Sequence, residues 1–336
     1  MTAFRASVER LLQRVWYEGH WFSLCLVPLS WLVEWEVRRR SSQRLPKGVA
    51  AKGAKVWVIG GLTVGGTGKT PVLLALAEWL RGQNVSIGVI SRGYRGRLGN
   101  GAHVVSATDS AADVGDEPLL IQRRLNCPVV IGRDRFEALT VLLEQFDVDI
   151  VLADDGLQHN ALPRDLEVVV LDAERGLGNG RVIPAGPLRE PATRLATVDW
   201  ILERNSEDPD RRFSYRICAM RQLASGQTLP WTDWHAEWGQ HPITAVTALG
   251  QPTQFFEMLS AQGLTTTPVA LPDHEPIPLN TLEQLTRDVV VTTAKDAVKL
   301  GAIERSDMAA RVWVVEIETE LPSSLLTRLA SALSER

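Results

Sequence analysis

Thr63, Val64, Gly65, Gly66, Thr67, Gly68, Lys69 and Thr70 read TVGGTGKT, a glycine-rich string closed by a lysine and a hydroxyl. Placed between a strand and a helix, such a loop turns its backbone N–H groups toward phosphate, and the helix N-terminus adds positive potential. Lys69 would reach the β- and γ-phosphates, and the Thr70 hydroxyl would ligate Mg²⁺. The first position of the G-x-x-x-x-G-K-[ST] pattern is Thr63 rather than glycine. Further along, Asp154-Asp155 follow an apolar run, where a carboxylate can hold the cation of a bound nucleotide. The competing role for such a pair is a turn or helix cap.

Between these motifs lies Gly115-Asp116-Glu117-Pro118. A phosphotransferase needs a carboxylate near the acceptor hydroxyl to take its proton, and a helix-capping turn would use the same residues. Arg92 and Arg95 in SRGYRG are candidates to face phosphate, or to form a solvated basic loop. His274, in Pro272-Asp273-His274, gains interest only as a partner to a carboxylate base, which it would tune and orient.

The elements that would position these residues follow from the hydrophobic pattern. Short apolar runs at 56–59, 86–90, 128–131, 149–153 and 167–171 read as buried strands. An apolar-periodic helix is expected from about Thr70 to Trp79. Strands alternating with helices predict a parallel sheet covered on both faces. A glycine- and proline-rich stretch, 176–191, reads as a functional loop or crossover. Beyond it, runs at 243–248, 289–293 and 312–317 predict a second, smaller α/β unit. The expected organisation is a membrane-associated segment 1–45, a P-loop core 46–175, and a closing α/β domain 176–336.

Length and composition agree with this. The 336 residues suffice for two cores, and the apolar and charged fractions, 45% and 23%, are those of an ordinary folded protein. A net charge of −4 gives nucleic-acid binding no electrostatic support. The charge is uneven: the first fifty residues carry eight Lys/Arg against four Glu, a net +4 that leaves −8 for the rest. Three cysteines without paired spacing suggest neither a disulfide framework nor a zinc site.

Residues 19–33 contain no Asp, Glu, Lys or Arg, with Trp16, Trp21, Trp31 and Trp35 in and around the run and Arg38-Arg39-Arg40 after it. A spanning helix wants about twenty apolar residues, so this one is short. A signal peptide lacks its small-residue cleavage site. A buried core helix is the plain alternative. Indole rings and a basic flank favour a helix at a membrane surface, kinked at Pro28.

Taken in order, TVGGTGKT, SRGYRG, GDEP, DDGLQH, the 171–191 stretch, the Gln251–Phe256 region, PDH and TTAKDAVKL resemble the tetraacyldisaccharide 4′-kinase family of lipid A biosynthesis. The resemblance covers nearly the whole chain. It implies transfer of the ATP γ-phosphate to the 4′-hydroxyl of a tetraacylated glucosamine disaccharide 1-phosphate, with Mg²⁺, in a cleft between two domains. It further implies Asp116 as general base with His274 as its partner. Glu117 and Asp154 would be Mg²⁺ ligands or their supports beside Thr70, with Asp155 and Gln158 close by. Arg189 and Glu190 would lie in the cleft. Ala294 departs from the expected Glu, which leaves Lys295 and Asp296 unaffected. A membrane-associated regulatory ATPase would want a lysine where Val64 stands, a GTP switch would want an N-K-x-D string, and a soluble small-molecule kinase would differ only in its acceptor.

Overall fold

The computed structural model describes residues 2–45, 47–48, 53–94, 96–97, 101–273, 275–278, 282, 289–303 and 309–334. Helices α1 (Thr2–Tyr17) and α2 (Phe22–Ser41) lead into the sheet. The first half then follows as β1 (Lys55–Gly60), α3 (Lys69–Gly82), β2 (Ile87–Ser91), β3 (His103–Val104), α4 (Ala111–Val114), α5 (Asp116–Leu125), β4 (Val129–Ile131), α6 (Arg135–Gln145), β5 (Ile150–Asp154) and β6 (Leu166–Asp172). The remainder comprises β7 (Trp200–Arg204), β8 (Arg212–Gln222), β9 (Thr228–Pro230), α7 (Trp231–Trp238), β10 (Ile243–Thr247), α8 (Pro252–Ala261), β11 (Thr266–Ala270), β12 (Val289–Thr293), α9 (Ala294–Ala297), β13 (Val312–Glu320) and α10 (Ser323–Ser334).

The thirteen strands of the described residues belong to one sheet, ordered β11-β10-β12-β13-β8-β7-β6-β1-β5-β2-β4-β3, with β9 on β8. Neighbours from β8 through β4 pair parallel, as do β11, β10, β12 and β13. Antiparallel pairing joins β13 to β8, β8 to β9 and β3 to β4. The central parallel strands are covered on both faces, which explains why β1, β2, β5 and β10 are buried along nearly their whole length rather than at alternate residues.

One core, under α3 and α5, gathers Trp57, Leu73, Leu76, Ile121 and Leu152, and Leu325 and Leu329 of α10 return to it. The other face, with Val56, Val58, Leu139, Leu142 and Val169, is covered by α6 and the 157–162 segment. The expected halves, 46–175 and 176–336, thus share a sheet: β7 of the second lies beside β6 of the first, and β8 joins β7 to β13.

The predicted strands and the helix at Thr70 all form. The sequence pattern missed β3, β7, β8, β9 and β11. Strand β8 is buried only at Phe213, Ile217 and Met220, a spacing without the two-residue alternation of a half-buried strand, and β11 is largely exposed. Helix α2 runs through Pro28 as one helix. No helix among the described residues is long and apolar enough to cross a membrane.

Candidate active site

The chain leaves β1 through Gly60, crosses the glycine loop and enters α3 at Lys69. Gly65 and Gly68 have φ of 111° and 90°, which L side chains rarely adopt, so the turn requires glycine at both. The loop is held from two sides. The Val64 N–H donates to the Pro187 carbonyl at 2.8 Å, and the Arg189 N–H donates to the Leu62 carbonyl at 2.8 Å. From the second half, Gln251 Nε2 donates to the Gly66 carbonyl at 2.9 Å.

Lys69 folds back over its own loop: a Cβ built on Gly61 would lie 3.3 Å from Lys69 Nζ and 3.2 Å from Thr67 Oγ1. Thr70 stands in the first turn of α3. Thr67 Oγ1 and Asp155 Oδ1 are buried without a hydrogen-bond partner among the described residues, an arrangement that invites a polar ligand.

Asp154 ends β5 and Asp155 follows it; the register sets Asp154 opposite Ile59 on β1 and so beside the root of the loop. Asp154 is 3% exposed and accepts from Ser91 Oγ at 2.9 Å. Burial, and then the carboxylates of Glu117 and Asp155, push Asp154 well above the usual carboxylate range. A cation would relieve that repulsion. Among the described residues no three His, Cys, Asp or Glu side chains gather as a cage of their own. Mg²⁺ does not need one, since it is commonly held by one or two carboxylates, with phosphate oxygens and water completing its shell. Thr70, Glu117 and Asp154 suit that role.

Asp155 turns the chain at φ 51°, its N–H donating to the Ile59 carbonyl at 2.8 Å. Burial alone would raise its pKa, yet Lys69 at 3.8 Å and Arg189 at 2.7 Å hold it down at about 2. Arg189 also donates to Gln158 Oε1 at 3.4 Å. Glu190 is buried and committed elsewhere: it accepts from Arg44 at 2.8 Å and from Gln158 Nε2 at 3.2 Å. Its role is to anchor the PLREP segment to the end of the N-terminal region.

Asp116 opens α5 directly after Gly115, whose φ of 93° makes the turn. Asp116 is 7% exposed, and its Oδ1 accepts from the Glu117 N–H at 3.0 Å. Lys299 Nζ stands 3.9 Å from its Oδ2. Glu117 Oε1 accepts from Lys295 Nζ at 2.8 Å. GDEP therefore both starts a helix and presents two carboxylates, and those carboxylates meet lysines of the TTAKDAVKL segment. His274 and Arg95 lie outside the described residues. Asp273 is packed at the loop after β10, where a Cβ on Gly250 would lie 3.1 Å from its Oδ2. Arg92 is exposed beyond β2.

Sequence reasoning missed Arg135. This arginine is 1% exposed, donating to the Gly132 carbonyl at 2.8 Å and the Asp154 carbonyl at 3.3 Å. Burial pushes its pKa down to about 10 despite Asp154 and Asp155. Its only sequence signal was an arginine at the start of a helix. His159 is lowered to about 4 by burial, with Arg135 and Arg92 adding, and so is neutral near pH 7.

A parallel α/β sheet carrying a glycine-rich phosphate loop between β1 and α3, with acidic residues on the adjacent strand, defines the P-loop class of nucleotide-using enzymes. Within that class the chain belongs to the tetraacyldisaccharide-1-P 4′-kinase family, whose model matches residues 22–334. It is similar to the tetraacyldisaccharide 4′-kinase of Alcanivorax borkumensis, 42% identical over 96% of this chain and 97% of that protein. The Pseudomonas aeruginosa enzyme of the same name is 43% identical over 89% of this chain and 90% of its own. The Shewanella baltica enzyme is 37% identical over 98% and 96%. Among solved structures, the "apo" form LpxK of Aquifex aeolicus, crystallised with ATP, superposes with a TM-score of 0.73 at 24% identity, covering 92% of this chain and 99% of that one. That likeness establishes a shared fold.

Proposed function

We propose that this chain transfers the γ-phosphoryl group of ATP to the 4′-hydroxyl of a tetraacylated glucosamine disaccharide 1-phosphate, forming lipid IV A. The observation that carries this is the glycine loop with Lys69 folded over Gly61 beside Asp155, in a chain of that kinase family.

Phosphoryl transfer asks mainly for positioning and charge neutralisation. The loop N–H groups and Lys69 would bind the β- and γ-phosphates, with Arg189 and Gln158 beside them. Mg²⁺ held by Thr70, Glu117 and Asp154 would neutralise the phosphate charge. Asp116 would accept the proton of the attacking hydroxyl, a role commonly worth about 10²–10⁴ in rate. His274 would orient Asp116. The second half, bearing Gln251, Lys295 and Lys299, would close over the nucleotide and exclude water. In this reading residues 46–175 form the nucleotide core and 176–336 the closing half.

The N-terminal segment 1–45 would hold the site at the membrane surface, on its cytoplasmic face. Trp21 and Trp31 are each 67% exposed, and Phe22, Leu24, Leu29, Leu32 and Trp35 are exposed with them. Contiguous exposed apolar side chains of this kind mark an interaction surface, and indole rings favour the headgroup layer. Arg38, Arg39 and Arg40 pair with Glu34 and Glu36 along the helix, which moderates their pull on anionic lipid. A four-chain acceptor scarcely leaves the bilayer, at about 0.8 kcal/mol per buried CH₂.

The test is incubation of the purified chain with γ-labelled ATP and the tetraacyldisaccharide 1-phosphate in mixed micelles. Label at the 4′ position supports the proposal. Release of label as inorganic phosphate alone, with the acceptor unchanged, refutes it.

A further inference from the structure

We infer that Lys295 is a positioning residue for phosphoryl transfer, a cross-cleft tether that fixes Asp116 by way of Glu117. The inference rests on the reading of Asp116 as the base. Glu117 and Lys295 are 178 positions apart in the chain and meet at 2.8 Å through Glu117 Oε1 and Lys295 Nζ. No motif in the first half foretells this contact.

The tether is stiff at both ends. On one side, α9 carries Lys295 immediately after the carboxyl end of β12. Its neighbour Asp296 is fully buried and binds the helix to the exit of β10. Asp296 Oδ2 accepts from Thr247 Oγ1 at 2.7 Å, the Ala248 N–H at 3.1 Å and Thr293 Oγ1 at 2.8 Å, while Oδ1 pairs with Lys299 at 2.9 Å. On the other side, Asp116 Oδ1 accepts from the Glu117 N–H at 3.0 Å, so the two acidic residues at the head of α5 are joined. Lys295 grips Glu117 and thereby the turn that aims Asp116. The contact is also drier than a surface pair, the Lys295 and Glu117 side chains being 18% and 32% exposed. An exposed ion pair contributes little, whereas a desolvated one in fixed geometry constrains both partners.

The loop before α8 makes a parallel tie, Gln251 to the Gly66 carbonyl. The second half thus meets the nucleotide loop at Gln251 and the acidic helix start at Lys295. Of the two, Lys295 is the one tied to the helix start that carries Asp116.

The test compares wild type, Lys295→Ala and Lys295→Arg as full chains, with MgATP and the tetraacyldisaccharide 1-phosphate in mixed micelles. For Lys295→Ala, kcat should fall roughly ten- to hundredfold, as expected when a reacting group is misplaced by about 1 Å. MgATP dissociation should stay within about threefold and the melting temperature should hold, so that the loss falls on kcat alone. Added ethylammonium or propylammonium should restore part of kcat in Lys295→Ala and leave wild type unaffected, and Lys295→Arg should retain more activity than Lys295→Ala. Wild-type kcat in Lys295→Ala overturns the inference, as does a loss confined to MgATP affinity, which would make Lys295 a phosphate contact. A loss that tracks a lowered melting temperature and ignores added amine overturns it too, by making Lys295 a prop of the fold. Failure of wild type itself to phosphorylate the acceptor would strike the proposed function instead, which keeps the two failures apart.

Discussion

Replacing Gly68 by alanine adds one methyl group at the most constrained point of the phosphate loop. Two costs follow from the structure. Gly68 holds φ 90° and ψ 20°, and a left-handed backbone costs a residue with a Cβ about 1–2 kcal/mol. The new methyl would also fall well inside van der Waals contact of Tyr215 Oη and 3.3 Å from Phe213 Cζ. Neither ring yields easily. Phe213 is fully buried at the start of β8, and the two rings pack edge-to-face with centroids 5.7 Å apart. Overpacking of this kind costs about 1–3 kcal/mol. Together these come to about 2–5 kcal/mol, and the cheapest relief is for the loop to move away from β8.

If that strain is expressed in the loop, affinity for a non-hydrolysable MgATP analogue should drop between about thirtyfold and a few thousandfold, since about 1.4 kcal/mol is tenfold. Isothermal titration calorimetry reads this directly, with urea denaturation alongside to show how much strain reaches global stability. Adding Tyr215→Phe removes the closest contact and leaves the backbone strain, so the double variant should bind about tenfold better than Gly68→Ala alone. Near-wild-type affinity and stability in Gly68→Ala would refute the reasoning, because the loop would then tolerate a side chain where both its backbone angle and its neighbours forbid one.

Other variants probe separate parts of the account. Asp116→Ala should lower kcat by about 10²–10⁴ while MgATP binding changes little, as expected for loss of a base; stopped-assay kinetics beside calorimetry separates the two. Asp155→Asn reports on the ion pairs with Lys69 and Arg189. Asp155 is held at about 2, below the ordinary carboxylate value, so its contribution is full above about pH 4 and fades as pH falls toward 2. Urea denaturation should therefore show Asp155→Asn less stable than wild type, by up to about 2 kcal/mol, through the neutral range, with the gap closing below about pH 4. A gap that widens on acidification would contradict the sign. Replacing Trp21, Trp31 and Trp35 together by Ser should cut partition onto anionic vesicles at least about tenfold while MgATP affinity is kept; unchanged partition in flotation assays would remove the proposed membrane surface.

The glycine loop and the acidic pair were legible because local sequence dictates them. A strand, a glycine turn and a helix lie within 28 residues, 55–82, and each of these elements is specified by its own neighbours. The same holds for Asp154, which ends an apolar strand, and for Asp155 just after it. Asp116 was ambiguous between cap and base for a physical reason: it sits at a helix start and is also buried against lysines. What pattern could not supply were contacts across long separations. Lys295 meets Glu117 from 178 positions away, and Gln251 meets Gly66 from 185. The Glu190 carboxylate likewise meets Arg44 from 146 positions away, beside its bond to Gln158. Strand β8 escaped notice because its residues alternate only loosely, its register being set by pairing with β13 rather than by a buried apolar face.

The central claim is that the triphosphate is gripped by the glycine loop with Lys69. Calorimetric titration of wild type and Lys69→Ala with a non-hydrolysable ATP analogue and Mg²⁺ tests it most directly. Loss of a charge-assisted contact worth about 1.5–3 kcal/mol should weaken binding in Lys69→Ala roughly ten- to 150-fold. Equal affinity in the two proteins would contradict the claim and place the nucleotide elsewhere.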